Sequence, residues 1–99
     1  MNSIVSNEKK CLVCGMTYRL EKHHVFYGFA NRRKSDQDGA WVWLCHAHHT
    51  GSKYAVHTNQ LLDDRIKQIT ERRWIKRDGT EEDFMRRFGR TWLTTNTET

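Results

Sequence analysis

Apolar residues in this chain fall into short clusters with two different periods, and the polar stretches between them carry turn and cap signals. "TYRLEKHHVFY" (17–27) mixes Tyr, Val and Phe with charged positions and predicts a strand. "SDQDG" (35–39) predicts a short helical turn closed by Gly39, and "AWVWLC" (40–45), aromatic and β-branched, predicts a second strand ending at Cys45. "HAHHTG" (46–51) predicts a short helix or turn that Gly51 interrupts. The helical period is clearest in "TNQLLDDRIKQITERRWIKR" (58–77), where Leu62, Ile66 and Ile69 share a face. Thr58 or Asn59 supplies its N-cap, and Lys and Arg gather at its C-terminal end, where the helix dipole favours them. "DG" (78–79) ends it. "TEED" (80–83) opens a last helix with a capping-box pattern, and that helix runs through "FMRRF" to a stop at Gly89. Trp41, Trp43, Phe26 and Phe29 are expected in the core.

The order strand, strand, helices predicts a small α+β fold. With 99 residues, of which 36 % are hydrophobic, burial alone gives only marginal stability, so the expectation is a single domain over residues 1–99 held by something besides its core. Residues 1 to about 8 are polar and expected to fray, "TTNTET" (94–99) reads as a disordered tail, and the ordered core is expected over about 9–93. The start "MNSIVSNEKK" has no apolar signal region, and no run approaches the length of a membrane span. A cytoplasmic location is expected.

Three cysteines, an odd number, suit metal ligation better than a disulfide framework. Cys11-x2-Cys14 bracket a turn, expected between two short strands, and Cys45-x2-His48 form a second knuckle. Three thiolates and one imidazole match a closed tetrahedral structural zinc site. Such a site clamps the ends of a long loop containing His23 and His24, and it fixes the position of His49. Histidines from a strand and from a later helix start then meet over a groove where a second, hydrolytic metal could bind. His57 stands eight residues beyond His49, about 12 Å on an unbroken helix and too far for one ion. A break at Gly51-Ser52 would let a loop return it to the site.

The net charge is +5 and the isoelectric point about 9.4, with basic residues clustered at 31–34, 72–73, 76–77 and 86–87. That profile suits a polyanionic partner. Asn31, Arg32, Arg33 and Lys34 are candidate nucleic-acid contacts, expected on a short loop that meets phosphates before bases.

Taken together, "C-x2-C … E-K-H-H-V … W-L-C-x2-H-H", the later "V-H-x-N" and the closing "E-D-F … F-G" resemble the HNH (ββα-metal, or His-Me finger) endonuclease motif in a small phage-associated branch. The resemblance covers roughly residues 11 to 93. It implies a zinc-stabilised ββα-metal fold with flanking C-terminal helices and DNA phosphodiester hydrolysis, either nicking or double-strand cutting. It further implies that His23 and His49 are ligands of the hydrolytic metal, that His57 is the third histidine of the His-rich members, and that His24 is the general base. The middle asparagine of the motif is missing, because its position is Ala40; Asn31 and Asn59 are the candidates to orient His24 instead. An imidazole suits a base working near neutral pH, and one Mg²⁺, Mn²⁺, Ni²⁺ or Zn²⁺ would neutralise the phosphate. An all-imidazole site favours the transition ions. DNA is the expected partner, in a host cytoplasm if the chain is phage-encoded. Two other readings are a non-catalytic zinc-ribbon nucleic-acid-binding module, and an adaptor among phage recombination or packaging proteins.

Overall fold

A computed structural model describes residues 2–93, so the expected tail over 94–99 lies outside the described residues. The elements run β1 (Leu20–His24), α1 (Asn31–Asp38), β2 (Trp41–Cys45), α2 (His46–His49), α3 (Gln60–Asp78) and α4 (Glu81–Phe88). This is a small α+β arrangement with one two-stranded antiparallel sheet. No helix among the described residues is long and apolar enough to cross a membrane.

The strand expected over 17–27 shrinks to five residues because its partner offers only five: Leu20 faces Cys45 at one end and His24 faces Trp41 at the other. Before β1 the chain is committed to the first cysteine knuckle, which is a turn without flanking strands. After β1 the chain turns at Gly28, whose φ of 104° is a conformation that glycine adopts without strain. Alternation along β2 buries Val42 and Leu44 and leaves Trp41 and Trp43 half-exposed, against the expectation of a core role. The two indoles meet edge to face at 5.4 Å, with Lys22 Nζ 4.5 Å over the Trp41 ring and Lys9 Nζ 5.4 Å over Trp43. Phe29 also departs from expectation, being fully exposed.

The helical turn expected at Ser35 begins four residues earlier, so Asn31, Arg32, Arg33 and Lys34 lie on the first turn of α1 and not on a loop. "NRRKSDQD" shows no helical period because Ser35 is its one buried residue. The Ser35 hydroxyl donates to Phe26 O at 2.6 Å and accepts from Phe26 N at 3.1 Å, so a polar anchor replaces an apolar stripe. The other end of α1 is fixed by Asp38, which accepts from Arg87 and from Trp74 Nε1.

The core is an aromatic cluster in which Phe26 meets Phe84, Phe88 and Trp92 at centroid separations of 5.0, 4.6 and 4.9 Å. The amino-terminal residues expected to fray are docked. Ser3 is buried, its hydroxyl donates to Trp41 O, and Ile4 N donates to Gly39 O at 2.9 Å. Asn59 caps α3 by accepting from Leu62 N, and Thr80 with Asp83 forms a complete capping box on α4.

Helix α3 buries a face unlike the one its apolar residues mark. Its buried residues are Asp63, Ile66, Lys67, Thr70, Glu71 and Trp74, whereas Leu62 and Ile69 are only half-buried. The charged members carry internal partners. Lys67 Nζ donates to Asp63 Oδ2 at 2.6 Å, the Tyr27 hydroxyl donates to the same oxygen at 3.0 Å, and Glu71 accepts from Thr91 and from Trp92 N. Breaking a buried pair leaves an uncompensated charge, so Lys67→Met is expected to cost about 3–5 kcal/mol. The urea midpoint measures it, and adding Asp63→Asn should recover much of the loss; a Lys67→Met midpoint equal to wild type would show the pair to be dispensable.

Burial pushes the Glu71 carboxyl above the ordinary 4.5, with the Thr91 hydroxyl and the Trp92 N–H partly opposing the shift. The native state therefore holds this proton more tightly than the unfolded chain. The contribution is complete below pH 4.5 and is lost as pH rises through the higher native value. Glu71→Gln should remove it. The stability difference between Glu71→Gln and wild type should then move in favour of the variant as pH rises above 4.5, and a difference that does not change with pH would contradict this account.

Candidate metal centres

Cys11, Cys14, Cys45 and His48 converge from three segments, and one ligand atom from each lies within 4.8 Å of the others. The knuckle turn is closed by Cys11 N donating to Met16 O at 2.8 Å and Gly15 N to Cys11 O at 2.9 Å. Leu12 N ties it to β2 through Trp43 O at 2.9 Å. Cys14 Sγ stands 3.8 Å from Cys45 Sγ, and His48 Nδ1 stands 3.7 Å from Cys11 Sγ and 3.3 Å from Cys45 Sγ. Bonds of about 2.3 Å to sulfur and 2.0–2.1 Å to nitrogen give a tetrahedron with edges of about 3.8 Å and 3.5 Å. The observed separations are those edges, so the cluster could hold a structural metal ion with His48 bound through Nδ1. Burial opposes ionisation of Cys11, but backbone hydrogen bonds from Cys45, Cys14 and Val13 outweigh it and bring the thiol down to about 6. Burial raises the Cys45 thiol.

The second cluster is His23, His49 and His57, again with one nitrogen from each within 4.8 Å of the others. Ring centroids are 5.2 Å apart for His23 and His49, 5.1 Å for His23 and His57, and 4.9 Å for His49 and His57. His57 arrives by the loop expected at Gly51. There a side chain would collide with His46, its Cβ falling 2.5 Å from Cδ2, and Gly51 N donates to His46 O at 2.7 Å. Val56 N then donates to His48 O at 2.7 Å, which pins the residue before His57 to the second cysteine–histidine knuckle. The same knuckle holds His49 next to His48. The first cluster therefore positions two of the three histidines of the second.

The donor set of the trio suits a metal. His23 is 2 % exposed, and its Nε2 is buried with no hydrogen-bond partner, an arrangement that leaves a strong acceptor or donor unused. Burial first, then the neighbouring His49 and His57, holds the His23 imidazole down at about 3; burial, then His49, lowers His57. Both are thus neutral and able to ligate near pH 7. Glu21 accepts from His49 Nδ1 at 2.7 Å and from His46 Nδ1 at 3.0 Å, and these bonds hold its carboxyl below the usual range. With Nδ1–H committed, His49 presents Nε2 to the trio, the usual carboxylate–histidine–metal arrangement. Neither Glu21 nor the role of His46 as its second donor was predicted from the sequence. The signal for Glu21 is the period of two that puts it on the His23 face; the role of His46, on α2, has none in the sequence.

His24 lies on the opposite face of β1 and does not join the trio. Its Nε2 stands 3.4 Å from Asp36 Oδ1, an oxygen that also takes Lys22 Nζ at 2.6 Å. Asp36 occupies the place beside His24 expected for Asn31 or Asn59. Asn59 is spent on its helix cap, and Asn31 donates to Phe88 O at 3.2 Å. Ala40 is fully buried, and its carbonyl accepts from Val25 N at 3.0 Å. Of the candidate nucleic-acid contacts, Lys34 is tied to Arg87 O at 2.7 Å, whereas Arg32 and Arg33 are exposed and their side chains make no hydrogen bond or ion pair among the described residues.

Comparison of the chain with protein-family models, curated proteins and solved structures found no match.

Proposed function

We propose that this chain is a metal-dependent endonuclease of the HNH, or ββα-metal, type that hydrolyses DNA phosphodiester bonds and keeps a separate structural zinc at Cys11, Cys14, Cys45 and His48. The observation that carries the reading is the trio His23, His49 and His57 around a buried, unpartnered His23 Nε2. A purely structural histidine satisfies its ring nitrogens within the protein, and this one does not.

The trio would hold the hydrolytic ion, which supplies positive charge against the phosphate and the leaving 3′ oxygen when bound. Three imidazole ligands favour Mn²⁺, Ni²⁺ or Zn²⁺ over Mg²⁺. Glu21 orients His49 by accepting its Nδ1–H. Arg32, which faces the same hollow as His57, receives a backbone phosphate. The resemblance, and not the geometry of the trio, assigns His24 as the base: from the other face of β1 it would take the proton of the attacking water. Its side chain is 22 % exposed, so water reaches it, and Asp36 steadies the imidazolium that forms. The sequence resemblance to HNH endonucleases supports the same assignment of roles.

The test is incubation of the zinc-loaded protein with supercoiled plasmid and Mg²⁺, Mn²⁺, Ni²⁺ or Zn²⁺ in turn. Nicked or linear product that disappears with chelation is the expected result. DNA binding without cleavage under any of these ions would overturn the reading in favour of a non-catalytic zinc-ribbon module.

A further inference from the structure

The loop between β1 and α1 carries a phenylalanine that the fold does not use. Phe29 is fully exposed, on a turn that Gly28 makes with a φ of 104°. Folding normally hides a ring of this size, and nothing in the core requires it here. Its surroundings give it a purpose. Phe29 lines two open hollows, each of about 460 Å³. The first is shared with Tyr27, Gly28, Arg32 and His57, so it borders one of the three histidines of the trio. The second is shared with Ala30, Arg33, Lys34, Gln37 and Arg87. In it Arg87 is spent on Asp38 and Lys34 on a carbonyl, which leaves Arg33 as the uncommitted charge.

We propose that Phe29 is a stacking platform for an unpaired nucleotide, with the backbone on either side held by Arg32 and Arg33, so that the preferred substrate is single-stranded or splayed DNA. The proposal rests on the nuclease reading for the presence of a reacting centre beside the first hollow and deepens it by naming the substrate class. An exposed ring between two uncommitted guanidinium groups matches the pattern of single-strand binding surfaces, in which base stacking supplies affinity and basic groups follow the backbone. A base inside a regular duplex has both faces covered by its neighbours and offers no face to Phe29. The charge complements a polyanion, and the ring selects the unpaired form.

The experiment compares fluorescence-anisotropy binding of a single-stranded oligodeoxynucleotide and of the blunt duplex of the same sequence. It uses full-length protein with one equivalent of zinc, which the three thiolates and His48 take in preference to the trio, and no other divalent metal, so that no strand is cut. Phe29→Ala should weaken single-strand binding on the order of ten- to hundred-fold, Phe29→Trp should restore it, and duplex affinity should change by less than about two-fold. Arg32→Gln with Arg33→Gln should flatten the salt dependence of single-strand binding, since fewer counterions are released. Unchanged single-strand affinity in Phe29→Ala, an equal loss for both forms of DNA, or an unaltered salt slope would overturn the proposal. Because the readout is binding, a protein that cuts neither plasmid nor the single-stranded oligodeoxynucleotide under any of the four ions yet shows the Phe29 effect would sink the nuclease reading alone, and one that cuts either DNA without it would sink this inference alone.

Discussion

Zinc withdrawn by a strong chelator, or Cys45→Ser in its place, should leave the chain unfolded at room temperature. The four ligands come from the knuckle at Cys11 and Cys14, from the last residue of β2 and from α2, and Cys11 and Cys45 are both buried. Leu12 N to Trp43 O is the backbone hydrogen bond that joins the knuckle loop to the sheet. Apparent metal binding in zinc-finger peptides amounts to about 10–16 kcal/mol at neutral pH. A domain of this size has about 5–15 kcal/mol of total stability. Losing an ion held there would therefore remove as much as the whole fold possesses, and it would also free His49 and the loop to His57, which the knuckle positions. Since ligation requires thiolates and burial raises the Cys45 thiol, affinity should fall with pH as well. Circular dichroism of the chelated protein and of Cys45→Ser, together with metal analysis, provides the check. Native-like melting of Cys45→Ser, or purified protein without zinc, would refute a structural role for the ion.

The parts of this arrangement that were readable in advance are those carried by residue type at fixed spacing. The x2 knuckles, the paired histidines, Gly51 as the break that returns His57, and the Thr80–Asp83 capping box are local patterns with local causes. What escaped prediction depends on tertiary partners. Helix α1 is anchored by one serine against Phe26, so no period marks it. Helix α3 buries Asp63, Lys67 and Glu71, each neutralised or bonded by a residue distant in sequence or one turn away, so hydropathy pointed to Leu62 and Ile69. The docked amino terminus depends on the main-chain bond from Ile4 to Gly39 and on the Ser3 hydroxyl bonded to the Trp41 carbonyl, which no periodic pattern encodes. Asp36 takes the place of the missing asparagine from a helix that the sequence did not reveal.

The adjacent histidines should separate into two phenotypes, because the two-residue period of β1 turns them to opposite faces of the sheet. His23 shares its face with Glu21 and the trio, and His24 shares its face with Lys22 and meets Asp36 of α1. His24→Ala should cut DNA about 10²–10⁴-fold more slowly, the usual worth of a general base, while occupancy of the trio and affinity for DNA stay near wild type. His23→Ala should behave differently. On the proposed reading it removes the buried ligand atom, so the hydrolytic ion should bind more weakly, and added metal should recover part of the rate. Asp36→Asn should cost less than His24→Ala, since the 3.4 Å contact steadies the ring without taking the proton itself. Single-turnover cleavage across a metal titration, with Co²⁺ absorption reporting occupancy of the trio, distinguishes the two faces. If His24→Ala cleaves at the wild-type rate while His23→Ala fails, the base is not His24, and the attacking water must be activated from the trio side of the strand.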